Sequence, residues 1–440
     1  MQEEEDDESR ARKRKLIFSL FLLLSRTRDP VPVRNRCYYG RKDPEQSPWF
    51  QEYWFDECNT YSATGTEYKQ KQFKNMFIIL KKAELSEFVN FATEELWFPL
   101  QEGKDAIGRR AAPIELLVMG CLAMLRNHST NYLPSLTYIS SQKFTSFFKI
   151  FCKTLRERFY PMYVKSPSTE EEIASAMKGY TDAGFPGVIG SADGVRVRMW
   201  NCSYNLKNQN INGKQGVPTR LFDVVVSFTT EIFHTTKSYD GAKNDFDISA
   251  ANPFLKKFRR DGEYTNIEWK YLDGEGVECS SRGLALLSDN GYCSSDFVLC
   301  PLKSSPLRSE KRWSKMCESL RKDVERTFGI LKQRFRILKY GINLQEFEAI
   351  DECWFCCALH NFILKSRRDE FEVQNLETEE AIASRIYKQD EENEILVETS
   401  KRSRTATNDA AVARRTIVIK HFNYLFDKRA VLWTRLKINE

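Results

Sequence analysis

The stretch between Asp289 and Glu325 constrains this chain most, because it joins a strand that ends on an acid to a helix that carries one. Leu284 to Leu287 form an apolar run that leads into Asp289 and the turn signal Asn290-Gly291. This carboxylate is therefore predicted at the exposed end of a buried strand. Glu325 is predicted at the border of a helical core seam. The seam residues recur at helical spacing and are Val324, Phe328, Leu331, Phe335 and Leu338.

The surroundings of Glu325 are basic. Residues 302–340 contain twelve Lys and Arg but only four Asp and Glu. An acid in such a segment faces a basic groove unless a salt bridge or a metal cation binds it. Three cations of this segment, Lys322, Arg326 and Lys332, are predicted to contact the phosphates of DNA.

A third acid lies upstream. Residues 188–194 predict a short apolar strand that delivers Asp193 to a glycine turn. Two strand-end aspartates and a helical glutamate form the set that two-metal phosphoryl transfer requires, because Mg²⁺ prefers oxygen ligands in octahedral geometry. We therefore predict that Asp193, Asp289 and Glu325 are catalytic and bind two Mg²⁺ ions, for which Mn²⁺ can substitute.

Five segments follow one another as ADG, GAKND, SDNGY, VERTFGILKQRF and LHNF. In this order they resemble the PIF/Harbinger superfamily of DDE transposases over roughly residues 111–365, and 35 residues separate Asp289 from Glu325, a spacing typical of these enzymes. Two departures are Val195-Arg196, where the family often has Thr-His, and Ala242, where it has Ser. Neither removes a carboxylate.

The resemblance implies a DNA transposase or a transposase-derived endonuclease that cuts and joins phosphodiesters. It further implies double-stranded transposon ends as substrate, a separate Myb-like DNA-binding partner protein and a nuclear location. The basic stretch Arg10 to Lys15 is consistent with nuclear import. The sequence leaves a homo-oligomer open.

The order of predicted elements is three strands, a helix, the Asp289 strand and the Glu325 helix. It predicts an α/β fold with a ribonuclease-H-like nuclease core at 166–366, a mixed five-stranded sheet with flanking helices. A disordered acidic and basic N-terminus is predicted at 1–33, an aromatic-rich accessory segment at 34–110, and a charged linker with a C-terminal helix at 367–440.

Residues 111–165 predict an α-helical module of the helix-turn-helix kind ahead of the nuclease core. A helix after Pro113 and a second apolar stripe from Phe144 to Leu155 frame a short middle element. The alternative is a three-helix packing module with solvated lysines. The cations off the second stripe, predicted to contact DNA in the major groove, are Lys143, Lys149, Lys153 and Arg156.

Composition excludes some classes of function. The net charge of +6 does not by itself indicate nucleic-acid binding, and the twelve cysteines lack regular disulfide spacing, which favours a reducing compartment. The apolar run Leu16 to Leu24 is too short to span a bilayer as a helix, so no membrane partner is expected. No Gly-x-x-x-x-Gly-Lys-Ser/Thr loop supports a nucleotide-dependent kinase.

Other interpretations stay open. The rival to an enzyme is a domesticated DNA-binding protein that keeps the transposase fold but no longer cuts. Asn244-Asp245 is predicted to cap a helix in preference to a catalytic role for Asp245. A zinc site at Cys353, Cys356, Cys357 and His360 is disfavoured, because one straight helix cannot arrange four ligands around an ion.

Overall fold

The computed structural model describes residues 42–55, 71–98 apart from 74, 79 and 80, 111–127, 131–367 apart from 212, 214–215, 260–261, 293–294, 296 and 345, and 409–431. The predictions for residues 1–33 and for most of the linker after 367 lie outside these ranges. No helix within them is long and apolar enough to cross a membrane.

Helices precede the sheet. Two short turns, Pro44–Gln46 and Phe50–Phe55, come first, and a π-helical turn at Leu155–Phe159 joins two of the later helices. Thr169 and Glu172 fix the start of the last helix before the sheet, Glu170–Asp182. The side chain of each residue accepts the backbone N–H of the other at 3.2 Å. The helices are α1 (Lys82–Glu94), α2 (Ile114–Asn127), α3 (Leu133–Thr137), α4 (Ser141–Thr154), α5 (Tyr160–Tyr163) and α6 (Glu170–Asp182).

The strands come next, with two short helices between them. Apolar and β-branched residues favour strands here, and all eight residues of the second strand are buried. The elements are β1 (Val188–Arg198), α7 (Tyr204–Asn210), β2 (Thr219–Val226), β3 (Ile232–Thr235), β4 (Tyr239–Asp240), α8 (Asp245–Ala251), β5 (Glu268–Leu272), β6 (Glu278–Arg282), β7 (Ala285–Leu287) and β8 (Val298–Leu299).

The remaining helices pack on the sheet. The last of them, at the C-terminal end of the described residues, buries Val418 and Phe422 in the core. These helices are α9 (Arg308–Arg334), α10 (Arg336–Tyr340), α11 (Phe347–Trp354), α12 (Ala358–Ser366) and α13 (Asp409–Asp427).

The main sheet is mixed and follows the order β3-β2-β1-β7-β8, with β4 pairing to β2. Strand β2 is antiparallel to β1, β3 and β4, whereas β7 runs parallel to both β1 and β8. A mixed sheet of five strands with flanking helices was predicted, and this arrangement is compatible with a ribonuclease-H-like core. Strands β5 and β6 form a separate two-stranded sheet.

Two hydrophobic cores cover opposite faces of the main sheet. Val224 of β2 belongs to one core and Val225 to the other, because successive side chains of a strand point to opposite faces. Helix α9 contributes to both, with Leu320 in the second core and Val324 in the first. The helix therefore spans the two layers beside β1, and the predicted seam around Val324 is confirmed as buried.

The helices predicted ahead of the nuclease core are present as α2, α3 and α4. Their apolar faces, including Phe144 and Phe151, share a hydrophobic core with sheet residues such as Val224. Lys143, Lys149 and Lys153 are exposed on α4, whereas Arg156 pairs with Glu348 at 3.3 Å and Glu352 at 3.7 Å on α11. Contact of this module with DNA, and its boundary at residue 165, remain predictions. The two ion pairs of Arg156 connect the π-helical turn to α11.

The His360-Asn361 pair of the LHNF segment ties α12 to the sheet edge. Asn361 Oδ1 accepts the Ile232 N–H at 2.9 Å, and its Nδ2 donates to the carbonyls of Ile232 and Tyr163. His360 Nε2 donates to the Thr230 carbonyl at 2.9 Å, since a carbonyl can only accept, and its Nδ1 accepts from the Arg334 guanidinium. Burial, followed by the Arg334 charge, lowers the pKa of His360 to about 3. Asn361 thus completes the pairing of edge strand β3, and His360 is held neutral.

Replacing Asn361 with Ala should destabilise the fold. The substitution leaves the buried N–H and carbonyl of Ile232 and the partly buried carbonyl of Tyr163 without their partner, and each buried group costs about 1–3 kcal/mol. We expect a loss of about 3 kcal/mol or more in the free energy of unfolding, measured by urea denaturation. The exposed Asn205→Ala should stay within about 0.5 kcal/mol of the wild type. Equal unfolding midpoints for N361A and wild type would contradict this role.

Candidate active site

Asp193 lies within β1, and Asp289 follows the neighbouring parallel strand β7. Ser191 of β1 is in register with Leu287, the last residue of β7, so continuing both segments by two residues places Asp289 beside Asp193. Adjacent strands are about 4.8 Å apart. Asp289 follows the end of β7 as predicted, and its Oδ1 accepts the Gly291 N–H at 2.8 Å.

The predicted glycine turn after Asp193 is wrong. Strand β1 continues to Arg198, with Asp193 opposite Val224 and Gly194 opposite Asp223 of β2. The alternating β-branched residues after Gly194 keep the chain extended, and the long partner strand β2 pairs with it throughout. Asp193 therefore sits within the sheet, where burial is greater than at a strand end.

Electrostatic strain is concentrated at Asp193. Burial, together with the nearby charges of Asp289 and Asp245, raises the pKa of the Asp193 carboxyl to about 7. Two contacts oppose the rise: the Gly194 N–H donates to Asp193 Oδ1 at 2.7 Å, and the Arg321 guanidinium supplies positive charge. A cation at this position would relieve the repulsion among the three acids.

The Asp245 carboxylate lies close to two glycines: Gly194, which follows Asp193, and Gly291, which is in the turn after Asp289. Its Oδ1 would be 3.3 Å from a Cβ at Gly194, and its Oδ2 would be 3.2 Å from a Cβ at Gly291. The helix cap that we predicted for this segment is provided by Asn244, whose Oδ1 accepts the Asp247 N–H at 2.8 Å. Asp245 is thus the first helical residue, and its carboxylate belongs to the acidic cluster.

A second buried acid, Asp223, backs the cluster from β2. Its Oδ1 accepts from the Tyr292 hydroxyl, and its Oδ2 accepts from Asn252 Nδ2 at 2.6 Å. Burial raises the pKa of Asp223 to about 6 even though both hydrogen bonds oppose the rise. Asp223 was not predicted as a site residue. The signal that could have revealed it is a charged residue inside the apolar run LFDVVV.

Glu325 reaches the site through an arginine. Its side chain is 45% exposed, and its Oε1 accepts from the Arg321 guanidinium at 2.9 Å. The same guanidinium donates twice to Glu318, at 2.7 and 3.0 Å, and it is close enough to Asp193 for their charges to interact. Arg321 was not predicted as a site residue. Its guanidinium binds Glu325 and places a positive charge near Asp193.

A basic cavity of about 690 Å³ opens beside this arginine. Asn290 Nδ2 donates to the Pro301 carbonyl at 3.0 Å, which joins the cavity wall to the Asp289 turn. Glu318 is neutralised by Arg321, so the lysines determine the charge of the wall. The lining residues are Pro301, Leu302, Ser314, Lys315, Glu318, Ser319 and Lys322.

The cations predicted around Glu325 differ in their surroundings. Lys322 is exposed on the cavity wall, and Arg326 pairs with the buried Asp323 at 3.2 Å. Lys332 is largely buried, and burial lowers the pKa of its ammonium. Of these three, Lys322 is the one most accessible to a phosphate, and contact of all three with DNA remains a prediction.

The acids suit a hard divalent cation by their chemistry, because carboxylate oxygens are the ligands that Mg²⁺ prefers. Within the described ranges, however, no three His, Cys, Asp or Glu side chains are already arranged as an ion site. Glu325 is held by Arg321, and the buried cysteines Cys353, Cys356 and Cys357 form no such group either. Binding of an ion by the predicted ligands requires side-chain rotation.

The mixed sheet, with Asp193 and Asp289 near its centre, defines an α/β protein whose core is compatible with a ribonuclease-H-like fold. Residues 161–371 match the family model described as plant transposon protein, which supports a transposase-related family. This segment includes Asp193, Asp289 and Glu325. No curated protein and no solved structure matches the chain.

Replacing Asp245 with Asn should lower the pKa of Asp193. The amide keeps the shape of the side chain but removes a negative charge that now disfavours ionisation of Asp193. Infrared difference spectra recorded across pH 4–9, with D193N as the blank, measure the titration. The matched control is Asp247→Asn, an exposed acid of the same short helix, which should leave the midpoint unchanged. An unchanged midpoint in D245N would place Asp245 outside the cluster.

Proposed function

We propose that this protein is a DDE transposase of the PIF/Harbinger superfamily, or an endonuclease derived from one. The observation that carries the proposal is the parallel register of β1 and β7, which sets Asp193 beside Asp289, with the Glu325 helix packed against β1. The match to plant transposon proteins over the same segment supports it. The substrate is double-stranded DNA at transposon ends.

Asp193, Asp289 and Glu325 would hold two Mg²⁺ ions, or Mn²⁺ in their place. When bound, such ions activate the attacking oxygen and stabilise the leaving oxygen of an in-line displacement at phosphorus. The attacking group is water in strand cleavage and a DNA 3′-hydroxyl in strand joining; in each case one P–O bond forms as another breaks. The chain's own contribution is to fix the ligands on rigid elements, with Asp193 inside β1 and Glu325 on α9.

The cations around the site would hold the DNA backbone. Inside the nuclease groove, the DNA backbone would contact Lys322 on the cavity wall and Arg326 and Lys332 further along α9. Outside the groove, the duplex would contact three lysines on the exposed side of α4, Lys143, Lys149 and Lys153. We also propose a nuclear location, a Myb-like partner protein and a homo-oligomeric assembly on two DNA ends, all of which follow from the family resemblance.

A second function is favoured by one observation. Arg321 binds Glu325, so a retired transposase that still binds DNA but no longer cuts is a coherent alternative. Titration with Mn²⁺ separates the two functions. The enzyme requires ion binding that weakens in D193N and D289N, whereas the binding protein shows no carboxylate-dependent site.

Conservative substitution of each acid tests the catalytic proposal. D193N, D289N and E325Q should each reduce Mg²⁺-dependent cleavage of terminal-repeat DNA by more than the roughly 10- to 100-fold typical for loss of an outer partner of a metal ligand. Cleavage is measured on labelled DNA, and binding of the same DNA in EDTA should persist. Asp247→Asn is the matched control. Undiminished cleavage by any one variant removes that residue from the site.

A further inference from the structure

Three large aromatic side chains stay exposed where β1 and α10 end. The accessible fractions are 49% for Trp200, 88% for Tyr204 and 48% for Tyr340. Full burial of such a side chain stabilises a protein by about 1.5–3 kcal/mol, so exposed aromatic groups in one region indicate a binding surface. Tyr204 is four residues from Trp200, at most about 14 Å along the chain.

The Trp200 side chain is held in a defined position. The Trp200 N–H donates to the Ile342 carbonyl at 3.1 Å, and the Ile342 N–H donates to the Arg198 carbonyl at 2.9 Å. Gly341 has φ +115°, and a Cβ there would lie 2.9 Å from both Cδ1 and Nε1 of the indole. The indole therefore rests against the backbone of Gly341, the residue that follows Tyr340 in the chain.

Cations accompany these rings. The Arg198 guanidinium lies 4.2 Å from the Trp200 ring centroid, and Lys339 Nζ lies 5.7 Å from the Tyr340 centroid. Both cations are exposed. We call this surface the basic aromatic face; its residues are Arg198, Trp200, Tyr204, Lys339 and Tyr340.

The charge of the surrounding chain narrows the class of partner. Residues 194–222 contain five Lys and Arg and no Asp or Glu, and residues 326–345 likewise contain five and none. The two segments begin directly after Asp193 and Glu325 and meet at the bridge between Met199 and Ile342. A partner with negative charge and flat rings matches this surface better than an acidic peptide or an apolar helix does.

We propose that the basic aromatic face binds single-stranded DNA, with unpaired bases stacked on Trp200 and Tyr340 and phosphates contacting Arg198 and Lys339. Base stacking on aromatic side chains combined with backbone cations is how single strands are held without sequence preference. The inference rests on the proposed function: in that enzyme, this face would guide one DNA strand away from the three acids. Asp193 and Trp200 are seven residues apart, which corresponds to about 23 Å of extended chain.

Binding of a fluorescent oligothymidylate of about 20 nucleotides to the full chain in EDTA tests the proposal, because no cutting occurs without divalent ions. W200A should bind about 5- to 150-fold more weakly, the range for loss of one stacked base. W200F should keep most of the affinity, since a phenyl ring still stacks, whereas W200L should lose it. R198Q and K339Q should each reduce the slope of log K against log salt by about 0.7.

The matched control is Lys311→Gln, an exposed lysine on α9 that does not line the basic aromatic face. Intrinsic fluorescence adds a second readout: base stacking should quench the wild type more than W200F, because the other seven of the eight tryptophans are common to both. A duplex of the same length should lose less affinity than the single strand in W200A.

Three results overturn the proposal. Equal single-strand affinity of W200A and wild type removes the stacking contact, and full affinity in W200L assigns the face to apolar protein contact. Tighter binding of oligouridylate than of oligothymidylate assigns it to RNA.

If W200A binds the single strand normally while the wild type cuts DNA, the proposal for this face fails and the proposed nuclease activity stands. If W200A loses the single strand while the wild type never cuts, the face stands and the nuclease fails.

Discussion

Two carboxylates on neighbouring strands, Asp193 and Asp289, impose the constraint on which the rest of the site depends. Unit charges about 5 Å apart repel by roughly 3 kcal/mol at an effective dielectric constant of about 20. Burial within β1 is the main reason why the pKa of Asp193 rises to about 7, and the charge of Asp289 adds to the rise. Two contacts oppose it: the Gly194 N–H donates to Asp193 Oδ1 at 2.7 Å, and the Arg321 guanidinium supplies positive charge.

Side chains of β2 and α8 pack closely around Gly194, next to the same acidic cluster. Glycine inside a strand weakens it, so Gly194 within β1 requires a structural reason. A Cβ at Gly194 would come within 3.1 to 3.3 Å of Leu221, Ile248 and Asp245. A side chain here would require these groups of β2 and α8 to shift by a few tenths of an ångström, so the glycine fits tight packing on the strand and does not mark a turn. The approach of α8 is also what brings Asp245 toward the aspartates.

The sequence predicted the elements that have strong local signals. The strand before Asp289, the valine-rich β2 and the long helix with Glu325 at its border each have a clear period, and the structure contains all three. The sequence did not predict how they meet. Asp223, Asp245 and Arg321 join the site through strand register and helix packing, which link residues far apart in the chain. The turn expected after Asp193 failed for the same reason, since pairing with β2 outweighs the local preference of glycine for turns.

The contact between Arg321 and Glu325 looks at first like an obstacle to metal binding, but Arg321 has a second partner. Glu325 is 45% exposed whereas Arg321 is only 13% exposed, so solvent screens one partner of this i, i+4 pair more than the other. If Glu325 rotates away, Arg321 keeps both hydrogen bonds to Glu318 and so does not lose its partner. Burial of Asp193 and its repulsion from Asp289 and Asp245 favour a cation at this position. In the proposed enzyme an ion would therefore replace the arginine at Glu325, while Glu318 would hold the displaced guanidinium beside the cavity wall and its lysines.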